Sequence, residues 1–422
     1  MANNSIIIRC FGEEIGRLGF DAHQRKSYFQ YHADFLKSNK YTQLFPPTGI
    51  LKRIEPTQVF SQYDMDTFRG LPPQIADSLP DLFGNIIFKT WLERTNKDFE
   101  QISVLEQLTY VANRGMGALE YRPSKTLKGE ETVNINEIVA IVQQVLQQKK
   151  QVKEAQFNEA ALLNIFKIGT SAGGARPKIL VSKNKETGSI IPGDVAYSSA
   201  YDHYLVKLFL EEDLAYNQSL VEYSYYLTAI QLGIRMMPSH LIDDKHFATL
   251  RFDRQGGKKQ HILTATGMTG WDFKNPEVSS YENLFELALF LKLPHKEIEE
   301  LFRRMVFNII FANTDDHLKN HSFIYDEMAD VWHLSPAYDL TYALHPLLHY
   351  KKTSRALSVN NKRMDIRAKD VLKIADTYTI KNARGIIRDT EAAISVWEKQ
   401  AHELAIPAAV IEGIKRRLLR LS

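Results

Sequence analysis

The stretch that most narrows what this chain can fold into is Asn313–Ser322, NTDDHLKNHS, which follows directly on the apolar run Met305–Phe311. A buried helix must stop there, because Asp315, Asp316, His317, Lys319 and His321 cannot continue an apolar face. HSFIY, at its end, reads as a strand. A polar loop mounted at the end of a rigid element is a common place for chemistry. The spacing narrows that chemistry. Asp315 precedes Asn320 by five positions, the separation at which phosphoryl-transfer loops use an aspartate to accept a hydroxyl proton and an asparagine to hold Mg2+. Asp339, in the YDL of Tyr338–Leu340, supplies a third oxygen ligand downstream. H-R-D and D-F-G are both absent, so this is no ordinary protein kinase. On the loop alone, a turn of solvated acids capped by asparagine accounts for the residues equally well.

At 422 residues the chain exceeds one simple core, and about two or three domains are expected. Hydrophobic residues make up 44% and charged residues 24%, the balance of a soluble globular protein. With 53 basic and 50 acidic residues the net charge is +3. That gives no case for wholesale nucleic-acid binding but leaves room for local basic patches. The single cysteine, Cys10, cannot form an internal disulfide and reads as a packed strand residue. MANNSIIIRC has neither a basic start nor a long apolar core. No apolar run reaches the roughly 18 residues of a membrane span. A soluble, cytoplasmic protein is expected, with no membrane partner.

Residues 5–60 read as short strands, from SIIIRCF, EIGRLGF and YFQYHADFL. LPPQIADSLPDLFGNIIFKTWLER predicts short helical pieces broken by prolines and Gly84, with Phe88, Trp91 and Leu92 as a core stripe. A helix is predicted over Phe99–Val111, then a tight backbone path at Gly115 and Gly117. SKTLKGEET marks a boundary near residue 127. Asn136 is the expected N-cap of a helix carrying Ile138, Val142 and Leu146, and Glu159–Phe166 is the next helix. KIGTSAGGARPKILVS then combines Gly169, Gly173 and Gly174 with Ser171, Arg176 and Lys178. Such a loop can turn backbone N–H groups toward an anion, although it matches neither glycine fingerprint of nucleotide binding. A glycine hairpin is the plain alternative.

Lys207 alternates with Val206 and Leu208 in the strand YLVKLFL, where burial without a partner is costly. Glu222, in the helix SLVEYSYYLTAIQLG, is the available partner, and Leu250–Phe252 in HFATLRFDR is the connection to the next lobe. An outward-facing lysine and a solvated glutamate are the bland readings of both. From residue 256 the pattern is helical: ENLFELALFLKL, then KEIEELFRRMVFNIIF behind Pro294. The strands SFIY and VWHLS follow. A last helix is predicted over Pro407–Leu421, with Ile411, Ile414, Leu418 and Leu419 on one side. Lys415, Arg416, Arg417 and Arg420 form its solvated face.

The motifs TSAGGARPK, YLVKLF, LRFDR, NTDDHLKNHSF and LSPAYDL, in this order, resemble the HipA-type serine/threonine kinase toxins of bacterial type II toxin–antitoxin systems. LPDLFGN and GMGALEYRP extend the resemblance to nearly the whole chain. It implies an α+β, two-lobed protein-kinase-like fold. Residues 1–127 would form a β-rich N-terminal subdomain, 128–255 the kinase-like N-lobe, and 256–422 a mostly helical C-lobe. The cofactors implied are ATP and Mg2+. By motif, Asp315 is the catalytic base, Asn320 and Asp339 hold Mg2+, and Lys207 contacts the ATP phosphates. Gly173 and Gly174 belong to the anion loop, Leu250 and Phe252 to the adenine pocket. Lys319 is placed to neutralise the transferring group, and Ser171 matches the family's autophosphorylated serine. Asp316 stands where a small residue is expected, so the spacing to Asn320 selects Asp315 as the base. The family's partners are a small helix-turn-helix antitoxin (HipB-like), operator DNA mainly through it, and an aminoacyl-tRNA synthetase, notably the glutamyl enzyme, as target. Two other readings stand beside this one: a catalytically weak corepressor, and a small-molecule kinase on the same scaffold.

Overall fold

The computed structural model describes residues 5–46, 50–63, 65–80, 82–94, 98, 101–124, 134–150, 176–193, 198–210 and 216–421. The N-terminal strands β1 (Ser5–Cys10), β2 (Glu13–Asp21), β3 (Lys26–Tyr31), β4 (Gln58–Phe60) and β5 (Glu120–Arg122) pair antiparallel in the order β4-β3-β2-β1-β5. The two-residue alternation decides which side is core: Ile6, Ile8 and Cys10 of β1 are buried. ADFLK departs from the strand expected there and closes one helical turn, α1 (Ala33–Lys37), burying Phe35. Two more short helices follow in this unit, α2 (Pro73–Ala76) and α3 (Leu82–Arg94).

α4 spans Val104–Val111 and not the longer stretch predicted, because the Ser103 hydroxyl accepts from the Glu106 N–H (3.1 Å) and starts the helix there. α5 (Ile135–Lys150) likewise begins earlier than predicted. Asn134, not Asn136, accepts the N–H of Asn136 (2.9 Å). Glu159–Phe166 lies outside the described residues.

A second antiparallel sheet holds β6 (Lys178–Asn184), β7 (Ile190–Pro192), β8 (Tyr201–Lys207), β9 (Ser239–Ile242) and β10 (His246–Leu250), in the order β7-β6-β8-β10-β9. Its back packs against α3 and α5 through Phe88, Leu92, Ile138, Val142, Ile179, Val206 and Ala248. Between β8 and β9 lies α6 (Gln218–Gln231), capped by Asn217. Gly256 and Gly257, both at positive φ, turn the hairpin of β11 (Arg254–Gln255) and β12 (Lys258–Lys259).

The remaining elements are mostly helical. β13 (Ile262–Thr264), β14 (Ser322–Asp326) and β15 (Val331–Leu334) form a small sheet around α7 (Ala265–Thr269), α8 (Tyr281–Phe290) and α9 (His295–Ile310). α10 (Ala368–Thr377), α11 (Ala383–Glu403) and α12 (Ala408–Lys415) complete the chain. α12 is shorter than predicted: the chain leaves the helix after Arg416 so that the Leu419 N–H can bond the Ile310 carbonyl (2.9 Å). The basic face is also less solvated than expected, with Lys415 on Glu398 (2.5 Å) and Arg417 on the Tyr350 carbonyl. One core cluster runs from Ile8 and Leu71 through Leu263 and Phe302 to Trp397, so the N-terminal unit shares its packing with the helical part. No helix among the described residues is long and apolar enough to cross a membrane.

Candidate active site

α9 buries Ile298, Leu301, Phe302, Met305 and Ile309, then stops where Ala312 turns to φ +52°. Asn313 closes the helix end. Its N–H bonds the Asn308 carbonyl (3.0 Å) and its Nδ2 bonds Asn308 Oδ1 (3.0 Å). The same Nδ2 reaches the Asp339 carbonyl (3.2 Å), tying the two polar loops together. Leu318–Asn320 makes one 3-10 turn around the buried Leu318, and the His321 carbonyl is held by the Ala265 N–H (2.8 Å). Asn320 Nδ2 donates to the Asp315 carbonyl (2.8 Å), which fixes the amide and leaves its oxygen for another partner.

The neighbouring acids have opposite fates. Asp316 is fully buried and consumed by the Tyr281 hydroxyl (2.6 Å), Arg355 Nη2 (2.5 Å) and the Leu357 N–H (3.3 Å). Asn308 Nδ2 in turn donates to the Tyr281 hydroxyl (3.0 Å). Asp316 is therefore an anchor, with its carboxylate already committed to these three partners. Asp315 keeps 70% of its side chain exposed, with His317 Nε2 at 3.9 Å. Desolvation at the cleft and the Asp339 and Asp316 carboxylates push its pKa above the usual range, against His317, and solvent screens much of that push. Lys319 Nζ lies 5.5 Å from the centroid of the Phe273 ring, which also contacts His317 at 4.9 Å.

Lys207 ends β8 pointing inward, nearly fully buried. Its ammonium bonds Glu222 Oε1 (2.6 Å) and Asp339 Oδ1, joining strand, α6 and the YDL loop at one nitrogen. Burial pushes the lysine down, but the Asp339 and Glu222 carboxylates outweigh it and hold the pKa above its usual value. Burial likewise opposes the charge on Asp339, and Lys207 and Lys178 outweigh it, so the group is held well below the usual carboxylate range. Asp339 sits at φ +54°, a conformation that is strained for a residue with a side chain. Glu222 has a second partner, Arg176 Nη1 (3.0 Å), whose Nη2 reaches Ser219 Oγ (3.2 Å). Lys178 is buried directly opposite Lys207 in the β6–β8 register. An ionised Asp339 and the Asn320 amide line one small cleft with Asn313 and Tyr338. These are hard oxygen donors of the kind Mg2+ takes. Among the described residues no cluster of three His, Cys, Asp or Glu stands close enough to hold a metal, so such an ion would complete its shell with water and phosphate oxygens.

The Leu250 N–H is used by the Pro238 carbonyl (3.0 Å) and the Arg251 N–H by the His203 carbonyl (2.8 Å). Phe252 is buried with its ring stacked at 6.0 Å on Tyr338, which itself lines the Asp339 cleft. The next residues form a buried ionic cluster. Asp253 accepts from Arg251 Nε (2.9 Å) and Nη2 (2.8 Å), Arg254 Nη1 (2.8 Å) and the Gly117 N–H (2.8 Å). Arg254 also donates to the carbonyls of Gly117 (2.9 Å) and Gly115 (2.8 Å). Gly117 stands at φ +78°, and a Cβ there would press on Ile262. The tight path predicted at these glycines is thus the seat of the lobe connection. A second tie lies nearby, where the Asp77 carboxylate accepts from the Thr264 N–H and hydroxyl, each at 2.8 Å.

The structure therefore joins Lys207 to Asp339 and Asn320 to Asp315, with Asn320 and Asp339 lining one cleft, while Lys319 lies near the Phe273 ring and Phe252 against Tyr338. Ser171, Gly173 and Gly174 lie outside the described residues. Arg355, Tyr281, Phe273 and Asp77 were missed by motif reading, because each is recruited from far along the chain and carries no local signature, and Asp253 was not singled out within LRFDR, because its partner Gly117 lies far away in sequence.

The sequence profile of the HipA-like C-terminal domain matches residues 170–397, and that of the HipA N-terminal domain matches 6–122. The chain is 31% identical over 174 residues to Y4dM of Sinorhizobium fredii, a protein that carries only a provisional kinase name. The match covers 40% of the chain and 41% of that relative, so the chain spans about two fifths of its length. Among solved structures, the fold is similar to HipA of Shewanella oneidensis MR-1, determined with HipB and operator DNA. The TM-score is 0.67 at 16% identity, covering 99% of this chain and 96% of that one.

Proposed function

This chain belongs to the HipA family, and on that footing we propose that it is an ATP- and Mg2+-dependent serine/threonine protein kinase. One observation carries the reading: a single buried ammonium, Lys207, bridges the α6 glutamate and the carboxylate of the YDL loop. A buried lysine held between two acids beside a proton-accepting loop is an arrangement suited to phosphoryl transfer, which needs positioning and charge neutralisation rather than covalent chemistry. Asn320 and Asp339 would hold Mg2+, and Lys207, with Lys178 beside it, would meet the polyphosphate oxygens. When bound, the nucleotide supplies the phosphoryl group and the ion neutralises its charge. Phe252 contributes an apolar wall for the adenine. Asp315 accepts a hydrogen bond from the substrate hydroxyl and takes its proton, while Lys319 faces the negative charge that builds up on transfer. Asp316 acts only through Arg355 and Tyr281, by fixing where Asp315 sits.

The family likeness extends the proposal to biology. The chain acts as the toxin of a type II toxin–antitoxin module, restrained by a small HipB-like antitoxin that brings operator DNA, and an aminoacyl-tRNA synthetase of the glutamyl type is its target. Phosphorylation of Ser171 adds about two negative charges to a loop suited to receive phosphate, and like-charge repulsion then turns the enzyme off. To test this, purified chain and its Asp315→Asn variant are incubated with labelled ATP, Mg2+ and glutamyl-tRNA synthetase, and phosphate is mapped by mass spectrometry. Label on the synthetase and on Ser171 in the unsubstituted chain alone is the expected result. Retained ATP binding without any label, on protein free of phosphate at the outset, overturns it in favour of a corepressor.

A further inference from the structure

We propose that Phe273 is a positioning residue for phosphoryl transfer: its ring is the shared support of the His317 imidazole and the Lys319 ammonium, and the N-terminal unit holds that ring in place through Thr67 and Asp272. The proposal rests on the kinase reading above, in which Asp315 and Lys319 act. Phe273 lies half-buried in the loop between α7 and α8. Its ring meets the His317 ring with centroids 4.9 Å apart and planes at 50°, and the Lys319 ammonium stands 5.5 Å from its centroid. Hydrogen bonds do not set the imidazole. Its Nδ1 is buried without a hydrogen-bond partner among the described residues, and its Nε2 is 3.9 Å from Asp315 Oδ1, outside hydrogen-bond reach. Packing therefore sets the angle of the ring, and a tilt moves a polar neighbour of the exposed Asp315 carboxylate. Lys319 is held more lightly. A cation on an aromatic face gains little, so it is free to turn toward a stronger negative charge on the transferring group.

The loop that carries Phe273 is pinned at both ends. The Thr67 hydroxyl donates to Asp272 Oδ1 (2.7 Å), and the same oxygen accepts the Lys274 N–H (3.0 Å), so the residues on either side of Phe273 are tied to one atom. Upstream, Gly270 stands at φ +73°, where a Cβ would come within 3.0 Å of the Tyr63 ring. Downstream, the Ser279 hydroxyl donates to the Phe273 carbonyl (3.4 Å) and to the Asn275 carbonyl (2.8 Å). Two residues later the Tyr281 hydroxyl donates to Asp316 (2.6 Å), inside the catalytic loop. Tyr63 and Thr67 belong to the N-terminal unit, whose Phe68 is buried in the shared core. One carboxylate and two rings thus connect that unit to the proton acceptor.

The test compares the full chain with Phe273→Leu, Phe273→Tyr and Thr67→Val in phosphate transfer from ATP to glutamyl-tRNA synthetase. Phe273→Leu keeps the apolar bulk and loses the flat ring. Its kcat is expected to fall about tenfold while KM for ATP and the melting temperature hold, and Phe273→Tyr should stay within about twofold of the unsubstituted chain. Thr67→Val should lower kcat about threefold in the same pattern, and it carries the comparison if Phe273→Leu does not fold. In a chain already carrying His317→Ala and Lys319→Met, Phe273→Leu should cost nothing further, because neither supported side chain remains. A kcat that Phe273→Leu leaves unchanged, a loss as large in Phe273→Tyr, or a loss as large without His317 and Lys319 overturns the proposal. Hydrogen–deuterium exchange of the 315–320 amides reads the loop without turnover. It should quicken in Phe273→Leu, less so in Thr67→Val, and stay put in Phe273→Tyr. Where no protein transfers phosphate, the kinase reading falls and exchange alone decides: that order upholds Phe273 as the support of the loop, and exchange unaltered by Phe273→Leu and Thr67→Val overturns it.

Discussion

Two buried ion clusters flank the cleft, and they are satisfied in different ways. On one side, Asp253 holds Arg251 and Arg254, and Asp253 and Arg254 also bond the backbone of Gly115 and Gly117. On the other side, Lys207 is held by the side chains of Glu222 and Asp339, and Asp339 keeps 28% of its side chain exposed. Backbone partners cannot swing away, whereas side-chain partners can be exchanged for others, as the proposed binding of phosphate and metal would require. The first cluster fixes the Arg251–Arg254 segment to the Gly115–Gly117 turn, and under the proposed function the second is the part that would change when substrate arrives. Asp253→Asn should break the first. It removes the countercharge of two buried guanidiniums and should cost about 3–5 kcal/mol of stability, read from urea unfolding, with kcat per folded molecule far less affected. Lys207→Met should do the reverse. A loss of about 10²- to 10³-fold in kcat is expected, roughly 2.7–4 kcal/mol of transition-state stabilisation, with a melting point within a few degrees because Arg176 still pairs Glu222. If Lys207→Met unfolds the protein as readily as Asp253→Asn, the contrast between the clusters is wrong.

The difference also explains what could be read in advance. That Lys207, Glu222 and Asp339 meet could be expected because a phosphoryl-transfer site, the reading proposed above, uses those residue types in that chain order. Asp253 lies within LRFDR, but nothing in those five residues says that its carboxylate is buried. An aspartate between two arginines looks like a solvated local charge run, and only the close approach of Gly117, from 136 residues earlier, buries it. Asp316 was misleading for a related reason. It stands beside Asp315 with the same carboxylate, and its anchoring role depends on Arg355 and Tyr281, which lie 39 and 35 residues away. The fold was legible in its alternations and apolar stripes, and the misses fall at ends. Ser103 and Asn134 each placed a helix start where local hydrogen bonding, not hydrophobic periodicity, decides.

Asp316 gives the next break in the comparison, since it is a rivet set inside the catalytic loop. Tyr281, Arg355 and the Leu357 N–H all converge on it, so the segment after Asp339 is held to the loop by a permanent ion pair. Protein kinases that order this segment by phosphorylation make an equivalent link only when modified. Asp316→Asn and Arg355→Met should each lower kcat while KM for ATP holds. The double variant should lose less than the sum, with a coupling of about 1–3 kcal/mol. Full additivity in that cycle would mean the pair does not act as a unit, and equal rises in KM would mean it shapes the nucleotide site instead.

The smallest expected effect separates the two clusters by pH. His203 is buried over the hinge, with its Nδ1 against Ser182 Oγ (2.8 Å) and its carbonyl on the Arg251 N–H. Burial, with Arg251 and Arg254 beside it, pushes its pKa down from 6.5 to about 4, against Asp253 and Asp202. A histidine whose folded pKa is depressed is protonated first in the unfolded chain. Its contribution is therefore complete above the unfolded value of 6.5 and is lost as pH falls from there toward the folded value of about 4. Between about pH 7 and 5.5 that loss is roughly 1 kcal/mol for the single group, and His203→Gln should remove that part of the slope in urea titrations. Asp339 and Lys207 lie far outside this window in opposite directions, so a Lys207→Met protein should keep the slope intact. A slope lost with Lys207 and kept without His203 would put the pH sensitivity on the exchangeable cluster, and the division between rivet and switch would have to be drawn the other way round.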